Sequence, residues 1–172
     1  MNPLDAEALY RALLDRLRPV FAAGSAPGAD APVLAGIFSG GAWLAERLAA
    51  DLSLAGFGVV NVALHRDDYA KKGLHTQAGP TALPFDVKNR SIVLVDDVLY
   101  TGRTVRAALN ELYDYGRPAS VELAVLADRG GRELPVAARY VGGEVDVPQD
   151  ANLVLSRNDA GRFAFHIEVR EH

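Results

Sequence analysis

The sequence predicts an α/β domain with a doubly wound, mostly parallel sheet. Aliphatic segments of strand length alternate with segments whose apolar residues recur at helical spacing, a pattern typical of such sheets. The segment 91–95 is apolar after its first residue, as expected for a parallel strand buried on both faces. It runs directly into two carboxylates, a short loop and a helix start. Because ligands collect at the carboxyl ends of parallel strands, a functional site is expected there.

The predicted elements follow from local patterns taken in chain order. Asn2-Pro3 is typical of a helix start, and the apolar residues after it recur at near-helical spacing. Gly116 and Pro118 end the helix that follows the apolar strand, and Asn158 to Gly161 form a hairpin turn. The predicted order is helix 3–18, loop 24–32, strand 33–38, turn 39–41, helix 42–52, strand 59–65, loop 67–83, strand 91–95, helix from 103, strand 121–127, short strand 139–141 and hairpin strands 153–156 and 163–169.

Length and composition predict a single domain over 1–172 in the cytoplasm. The chain has 172 residues, of which 49% are hydrophobic, so it can bury a substantial core. No apolar run is long enough to span a bilayer, and no signal peptide is visible at the start. The absence of cysteine excludes thiol nucleophiles and cysteine-bound metals. A net charge of −4 gives no global sign of nucleic-acid binding, and the four histidines have no metal-ligand spacing.

The segment 91–104 carries the chemistry that this domain is expected to perform. An apolar strand ends in Asp96 and Asp97, and Thr101-Gly102-Arg103-Thr104 leads into a helix. The backbone N–H groups of a helix start bind anions, so a phosphate is expected there. The carboxylates cannot bind that phosphate, but they suit the hydroxyls of an attached sugar. The segment therefore predicts a binding site for a ribose 5-phosphate.

This segment resembles the phosphoribosyl-pyrophosphate (PRPP) motif of the type I phosphoribosyltransferases. The stretch 96–108, together with 66–72, 116–118, 123–136 and 140–142, resembles the PyrR family, whose members are pyrimidine-operon attenuation regulators with uracil phosphoribosyltransferase activity. The resemblance covers roughly residues 33–145. It implies a type I phosphoribosyltransferase-like fold with a small hood and a C-terminal hairpin.

The resemblance also implies the ligands. They are PRPP and uracil as substrates, UMP or UTP as bound nucleotides, and Mg²⁺ held mainly by PRPP and water, with no direct protein ligand. An mRNA leader is a further implied partner, no membrane is, and a homo-oligomer, dimer or higher, is expected. In this chemistry, pyrophosphate leaves C1 of the ribose and uracil N1 bonds to it. The protein supplies positioning and charge neutralisation.

Site residues are carried over from the resemblance position by position. Asp96, Asp97 and Arg66 are the predicted catalytic residues. The predicted PRPP and nucleotide site is Asp96, Asp97, Tyr100, Thr101, Gly102, Arg103 and Thr104; the pyrophosphate loop is Ser39, Gly40 and Gly41; the base site is Leu126, Ala127, Asp128 and Arg129. Typical members carry Thr-Arg-Gly where this chain has Ser39-Gly40-Gly41, so the loop lacks an arginine and Arg66 is the cation expected to replace it.

Simpler interpretations of several site residues stay open at this point. Arg66 can be a surface arginine at a strand end, and Lys71 and Lys72 can either close over the pyrophosphate or decorate a charged loop. Asp128 and Arg129 can form an ion pair with each other. Arg103 and Arg106 can be solvated helix residues.

Tyr100 bears on the choice of base. Transferases of 6-oxopurines typically carry an acid at this position, and a phenol with an ordinary pKa near 10 is a poor general base at neutral pH. Uracil is therefore favoured over a purine. The alternative is that Tyr100 packs over the loop.

Three functions compete. They are a uracil phosphoribosyltransferase, with or without UMP- or UTP-responsive regulation of pyrimidine genes through RNA binding; a non-catalytic RNA-binding attenuator that senses nucleotides; and a phosphoribosyltransferase for another base. Gly131 stands where the regulators carry histidine, which weakens the second function. Candidate residues for a basic RNA face are Arg11, Arg16, Arg18, Arg129, Arg132 and Arg139.

Overall fold

The computed structural model describes residues 4–22, 31–63 and 80–171. In chain order the elements are α1 (Ala6–Ala22), β1 (Val33–Ile37), α2 (Gly40–Asp51), β2 (Gly58–Val60), β3 (Ser91–Leu99), α3 (Arg103–Asp114), β4 (Ser120–Asp128), β5 (Tyr140–Glu144), β6 (Ala151–Arg157) and β7 (Phe163–Val169). Strands β1 to β5 form a parallel sheet in the order β2-β1-β3-β4-β5. Strands β6 and β7 form a separate antiparallel hairpin.

Helices cover both faces of the parallel sheet. Leu13 and Leu17 of α1 pack with Leu44 and Leu48 of α2 on one face, against alternate β3 residues such as Val93. On the other face, α3 packs against the intervening β3 residues, which include Ile92 and Leu94. This confirms the predicted doubly wound fold. Among the described residues, no helix combines the length and apolar character that crossing a bilayer requires.

The C-terminal hairpin rests on the α1–α2 side of the sheet. The ring of Phe163 lies 5.8 Å from the ring of Tyr10, and the Arg47 guanidinium lies 4.0 Å above the Tyr10 ring. Arg47 also donates to the Glu7 carboxylate at 2.6 Å, and the Tyr10 hydroxyl donates to Asp51 at 2.6 Å. Burial and the hydrogen bond to Asp51 raise the pKa of Tyr10, so it stays neutral. These contacts fix the hairpin to the body of the domain.

Several predicted bounds are wrong, each for a local reason. The first helix ends at Ala22 rather than 18, and the Asp5 carboxylate caps its start by accepting from the Ala8 N–H at 3.1 Å. The turn predicted over 39–41 is wrong at its last two residues, because α2 already begins at Gly40. The second strand is only Gly58–Val60. The motif strand runs on to Leu99, because its pairing with β4 continues past the two acids. Most of the loop predicted over 67–83 lies outside the described residues.

Candidate active site

Residues 100–104 join β3 to α3 and are called here the phosphate loop, after the phosphate that the sequence predicts they bind. Gly102 has a left-handed backbone, φ 95°, which glycine adopts without the penalty that other residues carry. The Arg103 N–H donates to Thr101 Oγ1 at 3.2 Å. The carbonyl oxygen of Thr101 accepts from the Glu133 N–H at 2.9 Å and the Leu134 N–H at 3.1 Å. The segment after β4 therefore holds this loop through the backbone of Glu133 and Leu134.

The two predicted carboxylates lie at the end of β3, next to this loop. Asp96 is only 6% exposed, and its Oδ1 accepts from the Asp97 N–H at 2.9 Å. Asp97 is half-buried, and its Oδ1 accepts from the Val98 N–H at 2.8 Å. These bonds to neighbouring N–H groups orient both carboxylates. An oriented carboxylate is a hydrogen-bond acceptor, which suits the hydroxyls of a sugar.

The turn between β1 and α2 packs directly onto the two acids. A Cβ placed on Gly40 would collide with the Asp97 carboxylate, and one on Gly41 would collide with the Val95 carbonyl. A Cβ on Gly36, in β1, would in turn strike the Gly41 carbonyl. The predicted pyrophosphate loop and the predicted ribose site are thus brought together, and the approach depends on glycine at these positions.

An open cavity of about 550 Å³ lies at the carboxyl ends of β4 and β5, and it is called here the base cavity because two predicted base-site residues line it. It is lined by Asp128, Arg129, Gly130, Arg132, Glu144, Val145 and Asp146. Of the four predicted base-site residues, Asp128 and Arg129 line it. Leu126 and Ala127 lie inside the sheet and are 0% exposed, so their side chains belong to the core.

The ion pair considered between Asp128 and Arg129 is wrong. Asp128 accepts instead from Arg132 at 2.6 Å, while Arg129 donates to the carbonyls of Ala151 and Pro148, both at 3.0 Å. Burial alone would raise the pKa of Asp128. The hydrogen bonds from Arg132 and the Gly130 N–H, with the charge of Arg132, outweigh burial and hold that pKa below its usual range. Asp128 is therefore a carboxylate at neutral pH.

Tyr100 packs against the segment that follows β4. The Arg129 guanidinium lies 3.9 Å from the centre of its ring, and the Arg170 guanidinium lies 5.6 Å from it. Burial lowers the pKa of Arg129, and Arg170 adds to this effect, while Tyr100 opposes it. Gly131, with φ 74°, touches the ring edge so closely that a Cβ there would overlap it. A histidine at position 131 would have to displace Tyr100.

Not every predicted residue can be placed. Arg66, Lys71 and Lys72 lie outside the described residues, as do His65, His75 and His172. Arg103 is exposed and forms an ion pair with Glu133 at 2.6 Å. Sequence reasoning missed Arg132 as a site residue, as well as Arg170 and Glu133. The stretch 123–136 contains Arg132 and Glu133, but nothing in the sequence pairs them with the phosphate loop.

Three of the six candidate RNA-binding arginines are engaged within the protein. Arg129 and Arg132 make the contacts given above, and Arg139 pairs with Glu122 at 2.8 Å. Arg18 lies 3.8 Å from Asp15, and both side chains are largely exposed. Arg11 and Arg16 are exposed on α1. Of these six candidates, the three on α1 therefore remain the most available to a ligand.

The side chains near the site bear on how the predicted Mg²⁺ would be held. Within the described ranges, no group of three or more His, Asp or Glu side chains is arranged to hold a metal ion. Asp96 and Asp97 are hard oxygen donors beside the phosphate loop, and each already accepts a backbone N–H bond. The residues present fit an Mg²⁺ ion that is carried on substrate oxygens and water.

Comparison with known proteins identifies relatives along nearly the whole chain. The family model of the phosphoribosyl transferase domain matches residues 21–153. The "Bifunctional protein PyrR" of Ralstonia nicotianae is 61% identical over 168 residues, which cover 98% of this chain and 95% of the relative. The protein of the same name from Nitrosococcus oceani is 48% identical, covering 94% and 91%. That of Pseudomonas aeruginosa is 47% identical over 74% and 76%.

Solved structures show the same fold at low sequence identity. The hypoxanthine phosphoribosyltransferase of Trypanosoma cruzi aligns with a TM-score of 0.62 at 17% identity, covering 98% of this chain and 95% of that one. A hypoxanthine-guanine phosphoribosyltransferase of Bacillus anthracis aligns with a TM-score of 0.62 at 15% identity, covering 88% and 84%. At this identity the likeness extends to the fold and not to the base.

Proposed function

The chain belongs to the PyrR family and carries its phosphoribosyl transferase domain, and from this premise we propose that it is a uracil phosphoribosyltransferase that converts uracil and PRPP to UMP and pyrophosphate. The observation that carries the proposal is the convergence of three parts at one edge of the sheet. They are the phosphate loop, the Asp96–Asp97 pair and the glycine turn at Gly40. The base cavity opens beside them.

Each part has a role in this reaction. The N–H groups and hydroxyls of the phosphate loop bind the 5-phosphate, and the two carboxylates accept hydrogen bonds from the ribose hydroxyls. The Gly40–Gly41 turn presents backbone N–H groups to the pyrophosphate, and Arg66 supplies the cation that this turn lacks. Mg²⁺ on the PRPP oxygens neutralises charge on the departing pyrophosphate. Positioning and charge neutralisation therefore supply the catalysis.

The wider setting follows from the same proposal. We place the whole of residues 1–172 in one phosphoribosyltransferase domain that acts in the cytoplasm as a homo-oligomer, dimer or higher. Mg²⁺, PRPP, uracil and the nucleotides UMP and UTP are its ligands. Backbone groups near Asp128 and Arg129 contact the uracil edge.

Uracil is expected to be the preferred base. With PRPP and Mg²⁺, the protein should form UMP faster than it forms nucleotides from hypoxanthine, guanine or adenine, because Tyr100 replaces the acid that 6-oxopurine transferases use. The measurement is kcat/KM for each base, with pyrophosphate release as a common readout. Faster turnover of any purine than of uracil would show that the base is misassigned.

The regulatory function acts, in this proposal, through exposed arginines of α1. Arg129 and Arg132 are held by hydrogen bonds within the protein, and Arg139, although exposed, pairs with Glu122. Arg11 and Arg16 are exposed on α1. Phosphate contacts supply much of the affinity for RNA and need available cations.

Replacing both Arg11 and Arg16 by glutamine is therefore expected to weaken binding to the leader transcript of the organism's own pyrimidine genes. The slope of log affinity against log salt should fall by about two, one for each lost phosphate contact. Titration at several salt concentrations, with and without UMP, measures it. Arg139→Gln is the control and should change little. Equal losses in the double variant and the control would place the RNA elsewhere.

A further inference from the structure

Arg132 lies between the phosphate loop and the base cavity and binds both. Its Nη1 donates to the Tyr100 carbonyl at 2.9 Å, and its Nε donates to the Val136 carbonyl at 2.9 Å. Its Nη2 donates to Asp128 Oδ2 at 2.6 Å. The side chain is only 25% exposed, so these bonds are largely shielded from water. Nη1 also lies 3.4 Å from the Gly130 carbonyl. One guanidinium thus joins the segment around Asp128 and Val136 to Tyr100, which lies 32 positions earlier in the chain.

The two residues after Arg132 also hold the phosphate loop. The N–H groups of Glu133 and Leu134 both donate to the Thr101 carbonyl. Together with Arg132, they hold the two carbonyl groups that precede the Gly102 turn. A carbonyl oxygen that faces a phosphate repels it, whereas successive N–H groups attract it. Holding both carbonyls in the protein therefore leaves the N–H side of the loop for the anion.

The position of Arg132 depends on a turn of two glycines, Gly130 and Gly131. Gly130 and Gly131 have φ values of 72° and 74°, which lie in the left-handed region. Gly131 packs against the Tyr100 ring, and Asp128 Oδ1 accepts from the Gly130 N–H at 2.9 Å. This turn brings Arg132 back towards Asp128. The Arg132–Asp128 pair therefore connects the end of β4, the proposed base site, to the loop proposed to bind the phosphate.

We propose that Arg132 is a positioning residue for the phosphoribosyl transfer, which holds the phosphate loop ready for the 5-phosphate and couples it to the base cavity. This inference rests on the proposed function and deepens it. Arg132 acts through the Tyr100 carbonyl and Asp128, and not by contact with the substrate. The planar guanidinium satisfies acceptors in three directions, which the single ammonium of lysine cannot reproduce.

The test compares Arg132→Lys and Arg132→Gln with the control variants Arg139→Lys and Arg139→Gln. Arg139 pairs with Glu122, and its side chain is 70% exposed. The KM for PRPP should rise about tenfold in Arg132→Lys and further in Arg132→Gln, as expected for the loss of a charge-assisted hydrogen bond. The KM for uracil should change less than the KM for PRPP. The Arg139 variants should match the unaltered protein in both constants.

A binding measurement isolates the phosphate loop from turnover. UMP and uridine differ only in the 5-phosphate, so the ratio of their dissociation constants reports on the loop. This preference for UMP should fall about tenfold in Arg132→Lys. Thermal unfolding of each variant is measured alongside, because a purely structural role would lower the melting temperature and leave the ratio unchanged.

The outcomes separate this inference from the proposed function. An unchanged KM for PRPP and an unchanged UMP preference in Arg132→Gln would overturn the role of Arg132, as would a lower melting temperature with both constants intact. Failure of the unaltered protein to form UMP would overturn the proposed function instead. The UMP-to-uridine ratio of the variants would then still decide whether Arg132 positions the loop.

Discussion

Asparagine in place of Asp97 is expected to lower kcat/KM for UMP formation by about 100-fold, the usual cost of losing one preorganised polar group at a reacting centre. The amide keeps the size of the side chain but replaces one acceptor oxygen by a donor, so it cannot accept from both ribose hydroxyls. Asp97 is half-buried and accepts from the Val98 N–H, a bond that an asparagine oxygen can keep. The fold should therefore survive while activity is lost.

Asp96→Asn should have a comparable effect on activity and a larger one on stability. Asp96 is buried, and its Oδ1 accepts from the Asp97 N–H.

Thr101→Ala tests the phosphate side of the same site and should raise the KM for PRPP, because a hydroxyl that accepts from the Arg103 N–H is removed. Steady-state kinetics with PRPP and uracil, and circular dichroism, measure these effects. Asp159→Asn, in the exposed hairpin turn, is the control. Near-normal turnover in the Asp97 variant would remove the Asp97 carboxylate from the mechanism.

The sequence was sufficient for this part of the site because its residues are contiguous. An apolar strand, two acids and Thr101-Gly102-Arg103-Thr104 are local patterns, and the structure has a strand, a left-handed glycine and a helix start there. The end of β3 was misjudged because charged residues were taken to end the strand. Pairing with β4 in fact carries the strand through both acids to Leu99.

The base side of the site depends on contacts that the sequence does not encode locally. An ion pair between Asp128 and its neighbour Arg129 was one of the two interpretations left open, yet adjacent residues at a strand end point to opposite faces. The partner of Asp128 is Arg132, which a turn of two left-handed glycines brings back towards it. The bond from Arg132 to Tyr100 spans 32 positions and depends on that turn. Only the three-dimensional path of the chain reveals it.

The glycine turn is a further case. The sequence showed that it departs from the Thr-Arg-Gly of typical family members, and the structure shows what its glycines contact. Ser39-Gly40-Gly41 was seen as a pyrophosphate loop without its usual arginine. The structure adds that Gly40 touches the Asp97 carboxylate and that Gly41 touches the Val95 carbonyl. The predicted pyrophosphate loop thus lacks the arginine but keeps a close backbone approach that requires glycine.

Alanine at position 40 is expected to reduce kcat/KM for PRPP by about 100-fold while the protein stays folded. Alanine favours a helix over glycine by about 1 kcal/mol, and position 40 begins α2. The added Cβ overlaps the Asp97 carboxylate, which is the movable end of a side chain. The overlap is therefore relieved by rotation of Asp97 away from the ribose site. The measurement is the KM for PRPP and kcat, with thermal unfolding as a check on the fold.

Two further alanine variants show whether this effect is specific. A Cβ on Gly56 meets no atom within 4 Å, so Gly56→Ala should leave both activity and stability unchanged. A Cβ on Gly41 collides with the Val95 carbonyl, and backbone of the central strand cannot rotate away. Gly41→Ala should therefore lower the free energy of unfolding, by about 1–3 kcal/mol as for other overpacked sites. Gly40→Ala with a normal KM for PRPP would mean that the Asp97 carboxylate does not need its present position, and the ribose site would have to be sought elsewhere on this edge of the sheet.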